Sequence, residues 1–459
     1  MNQLETQSVQ ESKLEKKQFY KAVFALVLPM ALQNLINVAV TSADVIMLGQ
    51  VGETALSASS LAGQVQFIMT LFFFGLTSGA AVLTAQYWGK KDIRTIEKII
   101  GITLRFSLIV SVAFTLAVWI FPEPIMRIFT PDPAVIAEGA DYLRIVGISY
   151  ITMSFTIIYL NIMRSVERVV VSTVVYLISL VANIIFNSIF IFGLLGAPAM
   201  GIRGAALGTT LARLIELVIV LFYAYRMNRD VRFRFSELLV HDKLLFRDFL
   251  RYSIPVTLNE LMWGLGTSMN AVVIGHLGSS VVAANSVAQV TRQLATVIAF
   301  GIANAAAILI GKAIGENNNP KASRYAHRFV VLTLIAGVCG ALVILLVRPF
   351  IMTGMNVSEE ARSYLSMMMF VMSYFVIGQA YNTTMVVGIF RAGGDTKFGL
   401  ALDVSTMWGG SILLGAICAF VFHWSVPAVY MVLMSDEIIK IPFTTWRYRS
   451  RKWLRNVTR

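Results

Sequence analysis

Charge is scarce in this 459-residue chain. Asp, Glu, Lys and Arg make up 14% of it, whereas soluble proteins carry roughly 25%. Hydrophobic residues fill 57%, leaving too little polar surface to cover a water-soluble enzyme of this size. The same balance excludes disorder, which needs few apolar residues and many charges. Cysteine is nearly absent: Cys339 and Cys418 both fall within apolar stretches and offer neither a disulfide framework nor metal-ligand spacing. The four histidines stand in loops or at the ends of apolar stretches. A Walker A loop, an HExxH pair and paired catalytic carboxylates are all missing. An ATP-driven pump on this chain alone is thereby excluded, and neither an enzyme, a cofactor nor a bound metal is expected. The first twenty residues are polar and lack a stretch that a signal peptidase could follow, so the first apolar span is expected to be retained.

What the chain has instead is 29 Phe, 21 Met and a mean hydropathy of +0.72. Windows of about 20 apolar residues predict twelve membrane spans, near 21–48, 57–86, 99–121, 141–163, 169–194, 201–225, 248–275, 282–311, 329–351, 364–390, 398–422 and 425–446. Of the 38 Lys and Arg, 30 fall in segments on one side of these spans and five on the other. That asymmetry is the positive-inside pattern, which places both termini in the cytoplasm of a multi-pass cell-membrane protein. The net charge of +13 therefore reports topology, and no nucleic-acid partner is implied.

Shifted over itself by 226, the sequence aligns with itself. Pro29 meets Pro255, Thr41-Ser42 meets Thr267-Ser268, and Gly49, Gly52, Gly75 and Gly89 each meet a glycine. From 29 to 89 there are 17 identities in 61 positions without a gap. One residue further on, at a register of 227, Arg164 meets Arg391. The expected fold is all-α, with twelve transmembrane helices in two six-helix lobes related by a pseudo-two-fold axis along the membrane normal. The expected organisation is a cytoplasmic N-terminal tail (1–20), a first lobe (21–226), a cytoplasmic linker carrying an amphipathic helix (227–247), a second lobe (248–446) and a basic cytoplasmic tail (447–459). One chain already holds both lobes, so a monomer is expected.

Ionisable groups inside a bilayer cost about 2.5–3.5 kcal/mol on insertion scales and mark candidate sites. Asp44 lies near the outer end of the first span and Glu260 near the middle of the seventh. Under the repeat Asp44 meets Asn270 and Glu260 meets Asn34, so the lobes are built alike but are chemically unequal. Asn183 and Asn187 share one face of the fifth span. They either donate to a carboxylate, offer oxygens to Na⁺, or simply bond between helices. Gln33, Asn34, Asn37 and Gln64 in the first two spans, and Gln379, Tyr381 and Asn382 in the tenth, are candidates to line a wet cavity. Arg213 with Glu216, and Lys440 with Asp436 or Glu437, read as structural ion pairs at equivalent places; Asp403 stays ambiguous. The GLTSG and GKAIG segments read as helix-packing signals.

TSADVIMLGQVG with its repeat TSMNAVVIGHLG, GAALGTTLA, and FRAGGDTKF after the tenth span resemble the multidrug and toxic compound extrusion family over about 20–450. That resemblance implies antiport: a cationic amphiphile leaves while H⁺ or Na⁺ enters, by rocking of two lobes. It also implies that Asp44, Asn183, Asn187 and Thr209 form the coupling cluster, with Na⁺ at Asp44 as the alternative to a proton. Some members carry an aspartate where this chain has Asn187. Glu260 matches the seventh-helix glutamate of the norfloxacin-exporter branch, whose tenth-helix aspartate is replaced here by Tyr381 and Asn382. A lone carboxyl suffices for a proton, so H⁺ is the expected coupling ion at Asp44, with Glu260 modulating substrate binding or lobe closure. Glu260, Tyr381 and Asn382 are the expected second-lobe set for coupling or substrate. Small lipophilic cationic drugs or dyes are the expected substrates. A lipid-linked-sugar flippase and a non-transporting membrane enzyme or assembly factor are the competing readings; twelve spans and few buried arginines weigh against the first, and the lack of a polar catalytic cluster against the second.

Overall fold

The computed structural model describes residues 3–233, 236, 238, 242–354 and 358–459, with side chains from Leu14 onward. Part of the expected linker at 227–247 lies outside the described residues. Among the described residues, every regular element is helical. The α-helices are α1 (Gln3–Val51), α2 (Glu53–Lys90), α3 (Ile93–Ile120), α4 (Pro122–Phe129), α5 (Pro133–Ser165), α6 (Val169–Phe192), α7 (Ile202–Phe222), α8 (Lys243–Gly275), α9 (Ser279–Gly315), α10 (Asn319–Gly354), α11 (Glu359–Thr383), α12 (Thr396–Thr406), α13 (Leu413–Phe420), α14 (Val426–Leu433) and α15 (Asp436–Arg449).

Their ends follow local chemistry. Asp92 caps α3 by accepting from the Thr95 amide at 3.1 Å, and Asp132 caps α5 at Ala134 at 2.9 Å, just before Pro133. Such caps satisfy amides that a helix leaves without partners. Gly193 ends α6 in the left-handed region, at φ +75°, where a side chain would be strained. Stretches of π-helix extend α7 and α11 and join α12 to α13.

Ten helical segments are long and apolar enough to cross a membrane. The seventh and twelfth expected spans complete the set of twelve less simply. Asn259, Glu260, Thr267, Ser268 and Asn270 dilute the apolarity of α8. The twelfth, expected as one span over 425–446, is broken at Met434–Ser435 into α14 and α15. The second piece opens on Asp436 and Glu437, whose carboxylates need buried partners rather than lipid.

Contacts divide the chain into two compact units: Leu32–Gly264, and Met1–Ala31 together with Leu265–Arg459. The divisions fall inside α1, two residues past Pro29, and inside α8, nine residues past Pro255. Pro removes one backbone hydrogen bond from a helix, and the two prolines are repeat equivalents. In the Leu32–Gly264 unit, Gly75 and Gly79 show why small residues recur four apart. A Cβ on Gly75 would lie 2.4 Å from Thr257 Cα, and one on Gly79 would lie 2.4 Å from Ser253 Cα. Backbones this close admit only glycine.

In the other unit both chain ends are docked. Helix α1 takes in most of the expected N-terminal tail: Phe19 is buried, with its ring 4.7 Å from Tyr325 and 5.1 Å from Phe329, and Glu15 pairs with Arg324 at 3.2 Å. Beyond α15, Trp453 is buried and its indole donates to the Tyr448 carbonyl at 3.1 Å.

Candidate functional site

The Leu32–Gly264 unit lines a partly open cavity of about 790 Å³. Helical spacing builds its walls. Gln33, Asn37, Thr41 and Asp44 recur at intervals of four, four and three along α1; Tyr176, Ser179 and Asn183 do the same along α6; Thr209 and Arg213 stand four apart on α7. Each set therefore occupies one helical face. Asn34 and Gln64 also line the cavity, and Asn161 and Arg164 contribute from the end of α5.

At the Val51 end of α1, the four residues expected to couple ions come together. The Asn187 amide donates to Asp44 Oδ1 at 2.6 Å and contacts Asn183 Oδ1 at 3.3 Å. Asn183 in turn donates to Thr209 Oγ1 at 3.3 Å. Asn183 and Asn187 are buried, and Asn187 Oδ1 is a buried acceptor with no partner. A bond from a neutral amide to a charged carboxylate contributes about 1.5–3 kcal/mol. Asp44 thus keeps a held but chargeable carboxylate on a cavity wall. Arg213 and Tyr142 are its electrostatic neighbours.

Gln33 has a structural task as well: its amide donates to Thr173 Oγ1 at 2.8 Å and to the Val169 carbonyl at 3.3 Å. Arg213 pairs with the fully buried Glu216 at 2.8 Å, and Ser179 donates to the same carboxylate at 3.1 Å. This is the ion pair expected from the sequence, but its arginine also faces the cavity. Tyr142, Tyr176, Ser179 and Arg164 were not among the expected site residues. The α6 spacing running from Asn187 back through Asn183 to Ser179 and Tyr176 carried the signal for two of them.

The second expected set is divided. Glu260 is half-buried on α8 within the Leu32–Gly264 unit, whereas Tyr381 and Asn382 belong to the other. The division of α8 falls four residues after Glu260, which no pattern of polarity marks. In the other unit Asn382 donates to Glu437 Oε2 at 2.8 Å and accepts from Thr444 at 3.1 Å. Tyr381 bonds Thr445 at 2.8 Å, and Gln379 accepts from Arg292 at 3.0 Å. Beside them Lys440 holds three carboxylates: Asp403 at 3.0 Å, Asp436 at 3.1 Å and Glu437 at 3.5 Å. Asp403, ambiguous in the sequence, is an ion-pair partner. No group of three or more His, Cys, Asp and Glu able to hold a metal occurs among the described residues.

Comparison with known proteins identifies the family of the chain. The probable multidrug resistance protein NorM of Mesorhizobium japonicum is 23% identical over 446 residues, covering 95% of each chain. The probable multidrug resistance protein YoeA of Bacillus subtilis is 23% identical over 404 residues, covering 86% of each. The crystal structure of the Vibrio cholerae MATE transporter VcmN in the bent form shares the fold at a TM-score of 0.86 and 17% identity, over 96% of this chain and 98% of that one. A family model described as MatE matches twice, at residues 29–189 and 255–417, once in each repeat. With both halves of its repeat matched, this multi-pass membrane protein belongs to the MatE family of transporters.

Proposed function

We propose that the protein is a secondary active antiporter that exports lipophilic organic cations from the cell, driven by an inward H⁺ gradient and working by alternating access. The observation that carries this reading is Asp44, a carboxylate on a cavity wall whose hydrogen-bond partner is the neutral amide of Asn187. The names of the NorM and YoeA relatives support drug-like substrates. With Asp44 ionised, the cavity wall attracts a cation. When Asp44 takes a proton, that attraction is lost and its new O–H has an acceptor available in the unpartnered Asn187 Oδ1. Proton and substrate thus exclude one another at one carboxylate, which is the requirement for exchange rather than leak. Both termini lie in the cytoplasm in this reading, and Glu260 acts on substrate binding or closure.

The test is ion-swapped transport of a dye cation in proteoliposomes. A pH gradient alone drives uptake of the dye, and a Na⁺ gradient at equal pH drives little. Full transport on Na⁺ alone transfers the coupling role to that ion.

A further inference from the structure

We propose that Arg164 is an anion-binding subsite, so that the favoured substrates are zwitterions: a cationic end directed toward Asp44 and a carboxylate or similar acidic oxygen group toward Arg164. The inference rests on the transport reading above and narrows its substrate class.

Arg164 lines the same cavity as Asp44 and is half-buried there. Its guanidinium donates to Asn161 Oδ1, the phenol of Tyr176 is an electrostatic neighbour, and both are neutral. No carboxylate lies within ion-pair distance of it among the described residues. Arg213, on the same cavity, has Glu216 at 2.8 Å. Arg391, at the repeat-equivalent place, is buried at 4% exposure and partnered. One of two equivalent arginines is therefore closed off inside the protein, while the other presents its charge to a partly open cavity.

The two charged groups mark opposite ends of that space. Gln33 and Asp44 both line it and lie eleven residues apart on α1, or about 16 Å along the helix. Gln33 is bonded to Val169 and Thr173 at the start of α6, and the short turn 166–168 joins that start to the end of α5, where Arg164 stands. Asn161 bonds the guanidinium while its own amide is held by the Ile157 carbonyl at 2.7 Å. A planar guanidinium held in place is suited to a two-oxygen acid group. Such a group also supplies the counter-charge that a sheltered arginine lacks.

The experiment compares rhodamine B, which carries a xanthylium cation and a carboxylate, with its ethyl ester, which carries the cation alone. Binding to purified protein gives an affinity ratio, zwitterion over ester. Wild-type protein is expected to favour the zwitterion, and Arg164→Gln to lower the ratio about tenfold, with Arg164→Lys between them. An unchanged ratio in Arg164→Gln, whether both affinities fall together or neither moves, overturns the inference. Where Arg164→Gln does not purify as a folded protein, the wild-type ratio decides: preference for the ester, or none, overturns it. A lipid phosphate has the same chemistry, so the ratio is measured in phosphatidylcholine vesicles with and without phosphatidylglycerol. A ratio that holds in both supports a substrate acid; one abolished by phosphatidylglycerol assigns Arg164 to lipid and overturns the proposal. If wild-type protein transports neither dye under either ion gradient, the export reading fails and this inference with it. If it transports the ester but Arg164→Gln leaves the ratio unchanged, this inference alone fails.

Discussion

Arg213 and Lys440 occupy the same place in the repeat, at a register of 227, yet the two units use that cation differently. In the Leu32–Gly264 unit Arg213 is committed to Glu216, and Asp44 is left to amides on a cavity wall. In the other unit, Asp436 stands where the first repeat has Thr209, Asp403 where it has Tyr176, and both close onto Lys440 with Glu437. One scaffold thus carries two electrostatic outcomes, a carboxylate kept available and a set of carboxylates locked down. Counting acids locates neither; what separates them is whether the neighbouring cation is already taken.

The comparison breaks first at Asp44. Asp44→Asn is expected to abolish gradient-driven efflux in proteoliposomes while the protein inserts, purifies and melts like wild type. Retained efflux at normal expression would end the proposed division of roles. Lys440→Met, in contrast, is expected to act on stability. Removing one partner of a buried pair costs about 3–5 kcal/mol, and here three carboxylates lose their cation together. A large fall in melting temperature or in folded yield measures it, and a normally stable variant with defective coupling would make the second unit a coupling site instead.

Asn187→Ala is expected to be milder, because Asp44 keeps its carboxyl and loses one hydrogen bond worth about 1.5–3 kcal/mol. Transport persists with its pH dependence displaced, as a pH series of dye uptake shows. Glu260→Gln is expected to weaken transport a few-fold and leave the pH dependence in place, checked in the same series; loss of pH dependence there moves the coupling role to α8.

The smallest effect expected is at Asp242, outside the membrane spans. Hydrogen bonds from the Leu245 amide and from Lys98 hold its carboxyl below the usual value of 3.8. A carboxylate with a lowered folded-state pKa adds stability above its unfolded pKa and loses it as pH falls through the folded one. Asp242→Asn should therefore cost under about 1 kcal/mol near neutral pH, and the difference in melting should shrink only below about pH 4.

Much of this was legible in the chain. Paired glycines and prolines at a constant register gave the repeat, and the glycine pair 75 and 79 lies where backbones meet. Asp44, Asn183 and Asn187 stood out as polar residues on apolar helices, whereas Thr209 entered only through the family resemblance. Contacts between distant segments were not recoverable: nothing in the sequence tells Asp403 that its partner is Lys440, or assigns Glu260 and Tyr381 to different units. Phe19 and Trp453 were hidden for a simpler reason. Aromatics scattered through a basic stretch carry no periodicity, and only the surface that receives one shows that it is buried.

The division of α1 and α8 between the units bears on how the protein is made. The unit containing Leu265–Arg459 also needs residues up to Ala31, which are made before the whole of the Leu32–Gly264 unit. The Leu32–Gly264 unit needs the opening two-thirds of α8, which emerge only after the joint between the repeats. Chains usually mature domain by domain from the N-terminus; the Leu32–Gly264 unit can follow that order, but the other unit cannot be finished until Leu265–Arg459 is made. Residues up to Ala31 are therefore made well before most of the unit they pack into. A chain severed between α7 and α8 would give two fragments, each holding a piece that belongs to the other. Truncations at the apparent midpoint are therefore expected to yield degraded halves.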